Sequence, residues 1–426
     1  APASPPAAQP ARVLTLEEAL RTAREHQPQL RQARAGAAAA SARADEARAP
    51  MLPQLSATGT YERTTANVAP RPGFTTFGIR RPNSSSTTDY WSTGVTLNQV
   101  LFDFGQSFER WRAARAAATS QDENETAVAH QAELGVRLAY FTARAARDLV
   151  GVARDQVANM QAHLDQTDAF VRAGTHPAID LALARTNRAN AEVQLVNAEN
   201  GALTAKAQLD QAMGVDALAD YEVGDDGLAA VDGEDQPLEP LLAEALQHRP
   251  DVASLAAQVR ASELTVRAVR GGYGPSVGLF TGFTTAGETP ASSVPNWNAG
   301  VSLTWNIFQG GLTRAQVREA DANAEAARAQ LDVLRNQVRV DVEQARLAVR
   351  AAKGALAAAT TALESAREQL RLAERRYETG VGNAVELGDS QVALATAAAQ
   401  RVQSDFNLSA SRAQLLRALG RELPRG

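Results

Sequence analysis

The sequence has no cysteine and no surplus of basic charge, and each shortage excludes a class of function. Without cysteine there is no disulfide, thiolate metal site or cysteine nucleophile, and no N-terminal lipid anchor is expected. Lys and Arg number 43 against 48 Asp and Glu, a net charge of −5, which predicts no nucleic-acid partner. No run of about 18 apolar residues is present, so no transmembrane helix is predicted.

Signatures of catalysis and metal binding are missing as well. The chain has no G-x-S-x-G, P-loop or H-E-x-x-H motif. Its five histidines lack ligand spacing, and its three methionines are scattered. The sequence therefore predicts no enzyme, no catalytic residue, no metal site and no cofactor.

Aromatic residues make up only 5% of the chain, yet three of the four tryptophans fall in two stretches of alternating polarity. These stretches read W-S-T-G-V-T-L-N-Q-V-L-F-D-F-G over 91–105 and W-N-A-G-V-S-L-T-W-N-I-F-Q-G-G over 297–311. A period of two predicts a β-strand with one apolar face, and about 11 residues can cross a bilayer when tilted. The tryptophans fit an aromatic girdle at a membrane interface. The residues predicted to face lipid are Trp91, Val95, Leu97, Trp297, Val301, Leu303 and Trp305.

The chain is internally duplicated. H-Q-P-Q-L at 26–30 returns as H-R-P-D-V at 248–252. Further pairs, which share a second and shorter offset, are Trp91 and Trp297, Gly174 and Gly380, and Gly214 and Gly420. The two offsets differ because the loop between the paired strands is longer in the first repeat, and loops tolerate such differences in length.

The repeats predict the domain organisation. Residues 1–13 are interpreted as a flexible leader that begins at a processed terminus, 14–214 as the first repeat, 215–240 as a connector with little regular structure, and 241–426 as the second repeat. The elements predicted are strands at about 54–63 and 90–102 with helices 105–172 and 178–214, then strands at about 276–283 and 296–308 with helices 311–379 and 384–420.

Strand number then predicts assembly. Four strands cannot close a membrane barrel, and unpaired strand edges are not tolerated in lipid, so a homotrimer with twelve strands is expected. The third long helix carries a coiled-coil seam from Leu331 to Tyr377 in steps of three or four. The predicted fold class is a membrane α+β protein, in which each chain gives four strands to a 12-stranded β-barrel and coiled-coil helices to a helical tube, an α-barrel, that continues it.

At this point the chain resembles the TolC-like outer-membrane efflux family. The resemblance rests on the duplicated plan, the F-D-F-G and F-Q-G-G strand exits and the stretch R-Y-E-T-G-V-G-N-A-V-E-L-G-D-S-Q-V-A-L. It implies a channel-tunnel in the outer membrane of a Gram-negative bacterium, extending through the periplasm. Its partners would be an inner-membrane transporter and a periplasmic adaptor, in a tripartite efflux or type I secretion system. The alternative is a soluble periplasmic coiled-coil adaptor or scaffold.

The resemblance also implies a gate where the long helices turn. Tyr377 matches the family's tip tyrosine, Asp180 the aspartate it pairs with, and Glu386 and Asp389 two acidic ring positions. An arginine of the family's lock falls at Gly382, which puts the ionic part of that lock in doubt. The turns themselves are marked by Gly174, Pro177, Gly380 and Gly382. The alternative interpretation is that the acids stabilise helix N-termini, since Asn383 and Glu386 have capping-box spacing.

Overall fold

The computed structural model describes residues 12–65, 87–175, 177–216 and 221–421. The strands are β1 Arg12–Leu14, β2 Gln54–Thr65, β3 Thr87–Phe102, β4 Tyr221–Val223, β5 Ser276–Gly287 and β6 Val294–Thr304. The helices are α1 Leu16–His26, α2 Pro28–Arg48, α3 Gln106–Arg172, α4 Ala178–Met213, α5 Leu238–His248, α6 Pro250–Arg270, α7 Leu312–Glu378 and α8 Ala384–Leu419. In the parts described, no helix is both long and apolar enough to cross a membrane.

The duplication extends to the lengths of the helices and of one strand pair, while β3 with 16 residues is longer than β6 with 11. Helices α1 and α5 have 11 residues each, α2 and α6 have 21, α3 and α7 have 67, and α4 and α8 have 36. Strands β2 and β5 have 12 residues each. Element starts keep the register of the sequence repeat: α1 and α5 begin at equivalent positions, as do α3 and α7. The two halves therefore share one backbone plan.

The chain divides into two compact units. One contains residues 38–120 and 256–329, and within it an antiparallel sheet has the order β2-β3-β5-β6. Among the residues described, the outer edges of β2 and β6 pair with no further strand. Small alanines let the helices of this unit approach closely, as where Ala113 and Ala116 of α3 pack against Ala261 and Leu264 of α6.

The other unit contains residues 1–37, 121–255 and 330–426. Here β1 pairs in parallel with β4, which places ordered backbone where the sequence predicted a flexible leader and an irregular connector. The rest of the leader, residues 1–11, lies outside the described residues. The short strands escaped prediction because three residues are too few to show a period.

A buried stripe runs along α7, as the sequence predicted. The seam predicted between Leu331 and Tyr377 has fourteen positions. Eleven of them are buried, among them Val338, Val342 and Val349. At Thr360 the prediction is wrong: this side chain is exposed, and Ala359 is buried in its place. Between Leu356 and Leu363 the stripe takes the step of three before the step of four, and a sequence pattern that allows both orders cannot tell them apart.

The repeated H-x-P motifs have a packing role. Each lies at the junction between two helices, and a left-handed glycine that ends another helix packs directly on it. A Cβ on Gly214 would lie 2.7 Å from Cα of Gln27, and one on Gly420 would lie 2.8 Å from the backbone N of Arg249. Because only glycine allows this approach, the two motifs and the two glycines recur together.

Candidate functional site

Helices α3 and α7 end with the same backbone geometry. In each, a left-handed glycine, Gly174 or Gly380, ends the long helix. The amide of Thr175 donates to the carbonyl of Phe170, and that of Val381 to the carbonyl of Arg376, both at 3.0 Å. These are the bonds of a Schellman motif, and they make both turns tight.

The starts of the following helices differ. Pro177 caps α4 with no side-chain hydrogen bond, whereas the side-chain oxygen of Asn383 accepts the amide of Glu386 at 2.7 Å. Asn383 is therefore the N-cap of α8, while the Glu386 carboxylate pairs with Arg376 and no capping box is formed there. Gly382 lies against the end of α7, where a Cβ would meet the backbone N of Tyr377 at 3.0 Å. That crowding gives a physical reason why an arginine is absent from this position.

Tyr377 lies inside the protein next to the second turn. It is 2% exposed, and its ring centroid lies 5.4 Å from that of His163 and 6.2 Å from that of Phe170, both on α3. Leu387 of α8 belongs to the same apolar cluster. The cluster therefore joins the end of α7 to both α3 and α8.

His163 connects this cluster to Asp180. Burial lowers the pKa of His163 below its usual value, and the negative charge of Asp180 acts in the opposite direction. Asp180 itself is half-buried in the first turn of α4. His163, which was not among the predicted gate positions, thus packs on Tyr377 and is sensitive to the charge of Asp180.

The acids of α8 are in two different settings. Glu386 forms an ion pair with Arg376 at 3.2 Å, so the hairpin supplies an arginine from α7 although position 382 has none. Asp389 is exposed, one turn further along α8. Of the two predicted ring acids, Glu386 therefore has its charge partly neutralised by an arginine of the same chain.

Several features of the hairpins were not predicted. His163 and Phe170 lie in the first repeat and Tyr377 in the second, and no local pattern joins them. Ile179 and Val381 are exposed at the turns, although apolar side chains usually avoid such positions. Exposed apolar residues next to a tight turn could have been found from the sequence.

The predicted lipid-facing residues lie on one side of the sheet. In the strand register Val95 is opposite Phe283, and Val301 is opposite Leu279, so apolar side chains of neighbouring strands share a face. On β6 this face is open, since Trp297 is 70% and Leu303 69% exposed. On β3, Trp91 and Val95 are partly exposed and Leu97 is half-buried.

Trp305 differs from the prediction. Strand β6 ends at Thr304, so Trp305 lies just past it, and its indole N–H donates to the carbonyl of Tyr273 at 3.0 Å. The alternation of apolar and polar residues continues beyond the strand and made it look longer than it is.

The comparison with known families decides what kind of protein has this plan. The profile of outer membrane efflux proteins matches residues 19–215 and 241–421. The chain belongs to this family. Its two matched segments coincide with the two repeats and leave out most of the connector between them.

Individual relatives agree with the family. The chain is 26% identical over 339 residues to outer membrane protein TolC of Escherichia coli K12, covering 74% of this chain and 64% of TolC. It is 29% identical over 335 residues to protein CyaE of Bordetella pertussis, covering 77% of this chain and 67% of CyaE. The matched region thus spans just under two thirds of the length of TolC.

A solved structure has the same fold. The chain superposes on CusC with a TM-score of 0.83 at 19% identity, covering 96% of this chain and 92% of CusC. The CusC structures describe conformational changes that accompany folding and transmembrane channel formation. At this identity the likeness establishes the fold, and function has to be argued from the residues.

Proposed function

We propose that three copies of this chain form a channel through the outer membrane of a Gram-negative bacterium. The observation that carries the proposal is the four-stranded sheet, which has an exposed apolar face and, among the residues described, two unpaired edges. A monomer would leave both features in water. Lipid would cover the face, and pairing β6 of one copy with β2 of the next would satisfy the edges.

Three such sheets give twelve strands, enough for a closed barrel. The helices support a continuation of the channel on the periplasmic side. Helices α3 and α7, with 67 residues each, are about 100 Å long at a rise of about 1.5 Å per residue. Such a tunnel would receive its cargo from an inner-membrane transporter and a periplasmic adaptor. The exposed Ile179 and Val381 suit contact with a protein partner.

The hairpin turns would form the gate. Asp180, Tyr377, Glu386 and Asp389 lie at or beside them, and three chains would bring three copies of each around one axis. Carboxylates in a constriction repel anions and attract cations. The Arg376–Glu386 pair would moderate that charge.

The experiment is a measurement of mass and conductance. In mild detergent we expect a particle of three chains that forms ion-conducting pores in planar bilayers. A monomer that stays soluble without detergent would instead support the alternative, a coiled-coil adaptor or scaffold. A stable monomer in detergent with intact strands, or a trimer that never conducts, would contradict the channel.

A further inference from the structure

A groove between α3 and α6, in the same unit as the sheet, combines aromatic and cationic side chains. Its volume is about 610 Å³, within the range of ligand sites. The side chains that give it its character are Phe108, Trp111, Arg112, Arg115 and Arg260. The floor is formed by small and aliphatic residues, among them Ala116 and Leu264.

The aromatic side of the groove is open. Phe108 is 47% exposed, and its ring centroid lies 5.7 Å from that of Trp111. The guanidinium of Arg112 lies 5.7 Å from the centre of the Phe108 ring, and that of Arg115 lies 5.9 Å from the Trp111 ring. Contact with a ring face holds each guanidinium at the surface while leaving donors available.

The charge of the groove is positive and only partly balanced. Arg112 pairs with Glu109 at 2.9 Å. Arg115 and Arg260 are exposed, and neither is in an ion pair among the described residues. The acid that follows Arg260 by one turn, Glu263, is engaged by Arg328 at 2.5 Å. Two arginines are therefore left for an external anion.

The groove begins close to the sheet. Phe102 ends β3, and Phe104, two positions later, is 57% exposed and has a left-handed backbone with φ of +57°. Its repeat mate, Gly310, has φ of +62°. Glycine would adopt this conformation without strain, so the first repeat keeps an exposed aromatic ring at a conformational cost. Exposed aromatics followed by arginines are typical of a membrane interface.

We propose that the groove binds the phosphate headgroup of an anionic glycerophospholipid, from the leaflet that borders the helices. The inference rests on the proposed function, because only a chain inserted in a membrane meets the edge of a leaflet. Arginine is suited to phosphate through its fork of donors, and the rings would lie beside the glycerol and the first methylenes. A membrane that ends beside the groove supplies this ligand at high local concentration.

The second repeat provides an internal contrast. The positions equivalent to Phe108, Trp111 and Arg115 are Arg314, Val317 and Asp321. They lack both rings, and an acid replaces one arginine. We therefore expect one lipid site per chain, three per trimer.

The experiment counts lipids retained by the purified full chain in mild detergent, by native mass spectrometry. The probes are phosphatidylglycerol and phosphatidylcholine with matched acyl chains. Wild type should retain phosphatidylglycerol in preference, and R115Q/R260Q should lose about 25-fold in that preference, since each of the two arginines near an anionic surface has an effect of about fivefold. The control R314Q/R318Q removes two arginines of the second repeat and should keep the preference.

Three results would overturn the proposal: equal retention of both lipids by wild type, equal loss in the two double variants, or full displacement of lipid by millimolar inorganic phosphate, which would mark a site for free phosphate. A second measurement needs no variant, because raising salt to about 1 M should weaken retention of phosphatidylglycerol. Trimer mass and conductance are recorded in parallel. If they are normal while the lipid preference is absent, the lipid site fails and the channel stands.

Discussion

The two repeats have the same helix lengths but different chemistry where a strand passes into a long helix. F-D-F-G in the first repeat and F-Q-G-G in the second trace the same left-handed path, with Gly105 at φ +80° and Gly311 at φ +86°. The residue before each is Phe104 in one repeat and Gly310 in the other. The phenylalanine costs about 1–2 kcal/mol relative to an unstrained backbone. The fold thus requires the same left-handed backbone at both positions, whereas the side chain there differs between the repeats because its surroundings differ.

The helical hairpins give a second contrast. Both long helices end in a left-handed glycine with the same Schellman bond, yet Asn383 caps α8 with its side chain, whereas Pro177 makes no such bond at the start of α4. The α7–α8 hairpin is held by Asn383 and by Arg376 with Glu386, whereas Pro177 offers α4 no side-chain cap. We therefore expect the α7–α8 hairpin to be locally more stable than the α3–α4 hairpin, although the two are equivalent in the repeat.

The largest effect should come from the glycines that pack on the H-x-P motifs. We expect Gly214→Ala and Gly420→Ala each to lower the free energy of unfolding by about 3 kcal/mol, because a Cβ adds both left-handed strain and a clash with backbone. The measurement is denaturant or thermal unfolding in detergent.

Gly174→Ala and Gly380→Ala are the matched controls for this prediction. Both have positive φ, but nothing lies within 4 Å of an added Cβ, so about 1 kcal/mol is expected. If all four variants lose the same stability, the contact with the H-x-P motif has no role and only the backbone conformation matters.

The second-largest loss of stability is expected in the connector 215–240, which occurs once in the chain and has no equivalent in the other repeat. The Glu234 carboxylate is 4% exposed and accepts from Arg412 at 3.1 Å, Lys353 at 2.7 Å and the amide of Val231 at 2.9 Å. Burial by itself would raise the pKa of Glu234, but these donors lower it to about 2. Because the folded pKa lies below the ordinary one, the stabilisation is present above about pH 4.5 and is lost as pH falls through 2.

Glu234→Gln should therefore destabilise the protein by about 2 kcal/mol at pH 7, since it leaves the half-buried Arg412 without its charge partner. The difference from wild type should shrink steadily between pH 4.5 and 2 in an unfolding titration. Asp235→Asn removes a neighbouring, exposed partner of Lys353 and should cost about 0.5 kcal/mol or less. A deficit for Glu234→Gln that does not change with pH would contradict the role of the charge.

Much of this plan could be predicted from sequence because its elements are long. Sustained helical periodicity, with glycine at its end, predicted both boundaries of α3 and α7 closely. The predictions that failed concerned short elements or contacts between residues far apart in the sequence. Strand β1 is too short to show a period, alternation continued through Trp305 after the backbone had left the sheet, and Tyr377 meets His163 only because α3 and α7 pack together. Contacts between distant segments leave no local signal in one sequence.

The smallest effect on stability, and the test of the hairpin contrast, concerns the acids of α8. Arg376→Gln should change unfolding by less than about 1 kcal/mol, because the ion pair is half-exposed. Its effect should be seen in conductance. Arg376→Gln removes the positive charge beside Glu386, so cation selectivity in planar bilayers should rise. The double variant Glu386→Gln with Asp389→Asn should lower cation selectivity and weaken block by multivalent cations. Asn383→Ala is the control: it should cost about 1 kcal/mol through loss of the cap and leave selectivity unchanged. If the paired acid variant conducts like wild type, these acids serve only the start of α8, and the constriction lies elsewhere in the channel.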